Sequence, residues 1–173
     1  MARLYTVIFP FGEDTGDSRQ VLLGLKKRGM GEGLWNGFGG KLESGETLDE
    51  CAHRELQEEC GLQARRMEYV GVLTMVCKSG WEITIFVYTA RELVGSVTES
   101  EEMQPKWFGI DELPYSDCHT EAPLWWPTML DGSLFFAHFV FNLEALVEHR
   151  VERVSQECLD QLQREILAQH AQP

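Results

Sequence analysis

Two blocks near the start of the chain, Leu4–Pro10 and Val21–Lys26, are apolar along most of their length and read as short buried strands. The stretch between them, FGEDTGDSRQ, is polar and carries glycine and aspartate, so the pair is predicted to form a hairpin. The next stretch, KRGMGEGLWNGFGGK, is dense in glycine without any period, which predicts a structured loop needing positive φ angles or close backbone approach. Further strands are predicted at Tyr69–Cys77 and Trp81–Ala90 around the turn KSG, at Met103–Ile110, and at Ser133–Phe141, whose near-continuous apolar run implies burial. Asp111–Pro114 reads as a capped turn stopped by proline, and Pro123–Leu130 as a brief helix. Val147–Val154 is predicted as a last strand. From Ser155, a plausible N-cap, Leu159, Leu162, Ile166 and Leu167 follow helical spacing.

The strongest helical signal lies between these elements, at Thr47–Cys60. Thr47 and Glu50 stand at capping-box spacing, and Gly61 occupies the left-handed position that ends a helix. Ala52 and Leu56 form an apolar stripe. At roughly 100° per residue, Glu55 and Glu59 fall within about 40° of each other beside that stripe, with Glu58 on the neighbouring flank. Like charges four residues apart repel by a few tenths of a kcal/mol or so even in water. Two readings are open for such a helix: a solvated surface that tolerates the repulsion, or a site for a hard cation that wants oxygen ligands.

Charge and composition narrow the partners. The chain of 173 residues carries 15 Lys+Arg against 28 Asp+Glu, a formal net charge of −13, which argues against binding nucleic acid or an anionic membrane surface. An acidic protein that handles a polyphosphate needs divalent metal to mediate the contact. Lys26, Lys27, Arg28 and Lys41 bracket the glycine loop, whose free N–H groups can meet phosphate. The five cysteines form no ligand-spaced pair, so reduced thiols are predicted. The N-terminal stretch lacks the length of apolar run that a signal peptide requires, and a cytoplasmic monomer is expected, with nuclear or mitochondrial pools also open.

Gly40, Glu46 and the run Arg54-Glu55-Leu56-Gln57-Glu58-Glu59-Cys60-Gly61-Leu62 fill every fixed position of Gly-x5-Glu-x7-Arg-Glu-U-x-Glu-Glu-x-Gly-U, where U is a bulky aliphatic residue. On that motif the chain resembles the Nudix family. RLYTV, LLGLKKRGMGEGLWNGFGGK and ESEEMQPKWFGIDELP extend the similarity, from about Arg3 to Val154, to the MutT-type branch that hydrolyses oxidised purine nucleoside triphosphates.

The resemblance implies an α+β Nudix fold, a mixed β-sheet sandwiched between helices (α/β/α). Residues 1–154 would form the Nudix hydrolase domain and residues 155–173 an extra C-terminal helical appendage. It further implies Mg²⁺, with Mn²⁺ possible, bound by Glu55, Glu58, Glu59, Glu102 and the Gly39 carbonyl, with the four glutamates catalytic and Glu102 a ligand or base. Arg54 and Glu46 would orient the glutamates and brace the loop. Thr6, Lys26, Asn36, Phe38, Gly39, Gly40, Lys41, Glu121 and Trp125 would contact a small-molecule nucleotide. The implied reaction yields a nucleoside monophosphate and pyrophosphate from substrates such as 8-oxo-dGTP or 2-hydroxy-dATP. Alternatives are a Nudix hydrolase of dinucleoside polyphosphates or nucleotide sugars, and a non-catalytic nucleotide sensor.

One departure bears on the base. Where that branch has Trp-Pro-Asp-Asp, this chain has His119-Thr120-Glu121-Ala122, so one carboxylate is lost and the other lengthened. Met30, Met75 and Cys77 also stand where the branch tends to have phenylalanine. A changed preference among oxidised purines is expected.

Overall fold

The computed structural model describes residues 2–13 and 19–170. Residues 14–18, inside the predicted hairpin loop, and 171–173, at the end of the predicted appendage, lie outside the described residues. The elements in order are β1 (Arg3–Pro10), β2 (Gln20–Lys26), β3 (Trp35–Asn36), α1 (Leu48–Cys60), β4 (Leu62–Cys77), β5 (Glu82–Gly95), β6 (Met103–Gly109), α2 (Ala122–Leu130), β7 (Phe135–Asn142), β8 (Ala145–Arg153) and α3 (Gln156–His170).

A five-stranded mixed sheet runs β1-β5-β4-β7-β8, and a second sheet runs β3-β2-β6. In the first, β1 lies parallel to β5 and β4 parallel to β7, while β4–β5 and β7–β8 are antiparallel. The predicted hairpin of the first two strands does not form. β1 pairs with β5 and β2 with β3 and β6, and among the described residues the end of the first strand meets the second through a bridge between Phe11 and Val21 and the Gly12 N–H donating to the Gln20 carbonyl at 3.0 Å. The physical reason is burial on both faces: β1 is apolar at successive positions, and at the edge of the larger sheet both of its faces are covered by helices.

Alternation along the strands sorts the core into two layers. Val7, Phe9, Leu73, Val87, Phe135 and Phe139 face α2, where Trp125, Trp126 and Met129 complete one cluster. Leu4, Ile8, Val72, Phe86 and Tyr88 face α1, where Ala52, Leu56 and Cys60 complete the other. α3 lies on that second side, with Leu159 fully buried and Leu162, Ile166 and Leu167 packed around it. Helices therefore cover both faces of the mixed sheet. Ser155 caps α3 through its hydroxyl, 3.2 Å from the Cys158 N–H.

β4 begins earlier, and β5 ends later, than their apolar blocks predict, because Leu62–Glu68 pairs with the far end of β5 beyond a bulge at Tyr69–Gly71. Pro127 sits inside α2, near its end, and Pro123 lies in the first turn, where its missing N–H is harmless.

Candidate active site

The acidic helix starts and stops as its sequence predicts. The Thr47 hydroxyl accepts the Glu50 N–H at 3.2 Å, Glu50 accepts the Thr47 N–H at 2.8 Å, and Gly61 closes the helix in the left-handed conformation. These caps set the rotation of α1, which buries Ala52 and Leu56 and carries Glu55 and Glu59 to the edge of a cleft of about 420 Å³. Glu58 lines it too, mostly exposed, and the opposite wall is the loop Ser100–Glu102.

The glycine loop passes beneath these carboxylates, and a side chain on either of two glycines would force a neighbour to move, the Glu55 carboxylate at Gly40 and the β1 backbone at Gly39. A Cβ on Gly40 would fall 2.3 Å from Glu55 Oε1, and one on Gly39 would fall 2.1 Å from the Thr6 carbonyl oxygen. The Gly39 N–H donates to Glu59 Oε2 at 2.8 Å, while Gly40 uses its carbonyl to accept the Thr6 N–H at 2.9 Å. The loop is thus stitched to β1 on one side and to α1 on the other.

Basic groups are interleaved with the acids. Lys26, at the end of β2, places its ammonium 3.2 Å from Glu59 Oε1 and 3.1 Å from Glu102 Oε2. Burial alone would lower the Lys26 amine, but the charge of Glu59 and hydrogen bonds to Glu102 and Glu59 outweigh it and hold the amine above its ordinary value. Burial raises Glu59 despite the Gly39 N–H and Lys26, and burial raises Glu55 despite Arg54. Glu102 moves the other way, held low by hydrogen bonds from Arg28 and Lys26. Among the described residues, no three acidic, histidine or cysteine side chains converge closely enough to cage a metal as they stand.

Arg54 is the brace behind the helix. Its Nε lies 2.7 Å from Glu46 Oε1, its Nη1 lies 2.7 Å from Glu55 and 3.2 Å from Glu58, and its Nη2 reaches Glu46 again at 3.0 Å. The hydrogen bond from Arg54 pulls the Glu46 carboxyl down from the usual 4.5 to about 2. A carboxylate so depressed stabilises the fold above its unfolded value near 4.5, and that stability is lost as pH falls through about 2. Glu46→Gln is therefore expected to lose about 1 kcal/mol at neutral pH, allowing for solvent screening. In denaturation from pH 7 to pH 2, the gap between the two proteins should close below pH 4.5. A gap independent of pH would mean that the ion pair with Arg54 carries none of it.

The remaining candidates divide. Lys41 and Gly40 line the cleft. Asn36 is half-buried on β3, its Oδ1 fixed by the Gly37 N–H at 2.8 Å, which leaves its amide donors to face outward contacts. Thr6 is turned to the helix side of β1, its hydroxyl 3.3 Å from Cys51 Sγ. Phe38 is a core residue beneath the loop, and Trp125 is buried against Phe9 and stacked on Phe135 at 5.6 Å. Glu121 is the N-cap residue of α2 and is buried. Burial raises its carboxyl and the neighbouring His119 opposes the shift. The structure thus gathers Lys26, Gly39, Gly40, Lys41, Glu55, Glu58, Glu59 and Glu102 around one cleft, and sets Thr6, Phe38, Glu121 and Trp125 behind or beside it.

One contributor escaped the sequence reading, and another entered it only as a positive charge beside the glycine loop. Ser100 accepts the Glu102 and Met103 N–H groups at 3.3 and 3.0 Å and so turns the chain that presents Glu102. Arg28 grips Glu102 at 2.7 Å. The serine two residues before Glu102 is a turn signal that could have been read; the arginine's partner, far along the chain, could not.

Comparison with known proteins follows the same outline. The family model described as NUDIX domain matches residues 2–125. The chain is 40% identical over 142 residues to the "Oxidized purine nucleoside triphosphate hydrolase" of Mus musculus, covering 82% of this chain and 88% of that protein. It is likewise 40% identical over 137 residues to the protein of that name from Danio rerio, covering 78% and 88%. Among solved structures, the MutT protein of Bacillus halodurans superposes with a TM-score of 0.75 at 26% identity, covering 87% of this chain and 97% of that one.

Proposed function

The chain belongs to the NUDIX family, and from that premise we propose that it hydrolyses oxidised purine nucleoside triphosphates to nucleoside monophosphate and pyrophosphate. The observation that carries the reading is the cleft in which Glu55, Glu58 and Glu59 of one helix and Glu102 of the facing loop meet Lys26, Lys41 and a glycine loop. The identity to two vertebrate proteins named for that substrate class supports its choice.

The donor set fits a hard divalent cation. All four side chains offer only oxygen, and the ammonium that already bridges Glu59 and Glu102 supports a cation position between them. Glu55, Glu58, Glu59, Glu102 and the Gly39 carbonyl would hold Mg²⁺ or Mn²⁺. Bound there, the ion would neutralise phosphate charge and acidify a water. The chain's own groups do the rest. Lys26 and Lys41 attract the polyphosphate, the Gly39 N–H keeps Glu59 aimed, and Arg54 keeps Glu55 and Glu58 on the cleft side. Burial raises Glu55 and Glu59 alike, so either suits acceptance of a proton from the attacking water better than Glu102, which is held low.

The base falls to the neighbouring segment. A buried carboxyl raised by desolvation can stay protonated and then presents one donor and one acceptor. With Ala122 beside it in place of a second acid, Glu121 supports a narrower range of oxidised purines. Glu121→Gln, which keeps a donor and an acceptor, is expected to retain most activity. Glu121→Leu should lose about 1–3 kcal/mol of transition-state binding on the best oxidised substrate, and far less on dGTP. The test is kcat/KM for 8-oxo-dGTP, 2-hydroxy-dATP, dGTP, a dinucleoside polyphosphate and a nucleotide sugar, with product identification. Better turnover of either of the last two, or equal losses on all substrates in Glu121→Leu, would overturn this reading.

We also propose a monomer working in the cytoplasmic nucleotide pool, with residues 1–154 as the hydrolase body and 155–173 as an added helix. The buried thiols and the excess of acids favour a reducing compartment and no nucleic acid partner. Among the described residues no helix is long and apolar enough to cross a membrane.

A further inference from the structure

The wall opposite α1 is fastened to the end of β2 by three consecutive basic residues. Lys27 Nζ lies 2.8 Å from Glu99 and 2.8 Å from the Ser100 carbonyl oxygen, and the Lys27 N–H donates to the Glu102 carbonyl at 2.8 Å. Lys26 is shared between Glu59 and Glu102. Arg28 reaches Glu102 Oε1 at 2.7 Å and Glu101 Oε2 at 3.7 Å, so that both oxygens of Glu102 are occupied by cationic side chains. Lys26 is partly buried and spans the cleft. Arg28 is exposed, touches only the acidic loop among these pairs, and stands at its outer rim. A carboxylate engaged on both oxygens is not free to bind a further cation, and the two events must compete.

We propose that Arg28 is a resident counter-ion of the cleft: it neutralises Glu102 in the metal-free protein, gives it up when a divalent cation binds, and then meets the polyphosphate. This rests on the reading of the cleft as a divalent-cation site. It makes Arg28 a positioning residue with two effects of opposite sign. Its pairing with Glu102 weakens metal binding, and its released guanidinium, five donors on a planar fork, strengthens substrate binding. Because linkage is reciprocal, metal bound first improves the reception of phosphate by removing the competing partner.

The experiment is a titration of Mn²⁺ without nucleotide, reading free Mn²⁺ by its electron paramagnetic resonance signal at low ionic strength, followed by steady-state kinetics. Four proteins are compared: the unmodified protein, Arg28→Gln, Arg150→Gln and Glu59→Gln. Arg150 forms an exposed pair with Glu152 at 2.6 Å on β8, so its substitution removes the same charge and a similar contact away from the cleft. Arg28→Gln is expected to bind Mn²⁺ about two- to fivefold more tightly, the scale on which exposed charge pairs weigh in an equilibrium. The same variant should show a raised KM for the nucleoside triphosphate, and Arg150→Gln should leave both unchanged.

Weaker or unchanged Mn²⁺ binding in Arg28→Gln would overturn the competition, since Arg28 would then be holding Glu102 in place for the metal or be irrelevant to it. An equal tightening in Arg150→Gln would reduce the effect to net charge and overturn it as well. A KM that does not rise would remove the phosphate role. If Glu59→Gln bound Mn²⁺ as well as the unmodified protein, the cation-site reading itself would fail, an outcome separate from the others.

Discussion

Glu59→Gln is expected to lower kcat by at least about 100-fold at saturating Mg²⁺, while the metal-free protein keeps or gains stability. Changing even a supporting partner of a metal ligand typically weakens metal affinity or activity 10- to 100-fold, so loss of a proposed ligand should exceed that range. Stability moves the other way because Glu59 is buried and its carboxyl is raised above 4.5 by desolvation. A group raised in the folded state contributes most below its unfolded value and loses that contribution as pH rises past it. At neutral pH its ionised form is therefore a burden that glutamine does not carry. Glutamine can still accept the Gly39 N–H, and Lys26 retains Glu102. Thermal unfolding with and without Mg²⁺ separates the two effects: the unmodified protein should gain stability from the ion and the variant should not. Near-normal turnover in Glu59→Gln would remove this helix from the chemistry.

Gly39→Ala should be the most damaging small substitution in the chain. Its φ of +157° disfavours any side chain, and the three nearest atoms to an added Cβ are backbone atoms of Thr6 and Val7, at 2.1, 2.8 and 2.9 Å. No rotamer relieves such a contact. Either β1 or the loop must move, breaking the bonds from Thr6 and Ile8 to the loop carbonyls and tilting the donor that holds Glu59. A loss of about 3 kcal/mol or more is expected, a drop in Tm of roughly 6–12 °C for a chain of this size. Gly45→Ala provides the contrast. Gly45 has φ +86° but meets nothing within 4 Å, so only the backbone conformation is penalised, about 1 kcal/mol. Equal losses at the two positions, measured by urea unfolding, would show that the close approach to Thr6 is unimportant.

The acidic helix was legible because its signals are local. A capping box, a stripe at helical spacing and a terminal glycine all lie within fifteen residues or so of one another, and they agree. The glycine loop was legible for a similar reason, although the sequence could not say which glycine met β1 and which met Glu55. Strand pairing was less so. Val21–Lys26 is the next apolar block after Leu4–Pro10, yet pairing is decided by which strands can be covered on both faces, and that depends on helices far along the chain. Phe38 and Trp125 sit in sequence beside cleft or base-segment residues, but their own side chains are drawn into the core, where apolar area counts for more than neighbourhood. Arg28 was visible as a positive charge, but its grip on Glu102 depends on the pairing of β2 with β6, which lies far along the chain and which no local pattern encodes.

The partner of β1 also sets an order on the life of the chain. Arg3–Pro10 is made well before its parallel neighbour, Ile83–Ala90, some eighty residues downstream. At 5–20 residues per second that separation corresponds to roughly 4–16 s of synthesis. Until then one edge of the strand can meet only the loop at Phe38 and Lys41, through isolated bridges, and its two apolar faces have no sheet to join. The strand that holds the glycine loop in place is thus made long before it is enclosed. In the interval an exposed apolar edge of this kind is a target for chaperones and a hazard for mispairing between nascent chains.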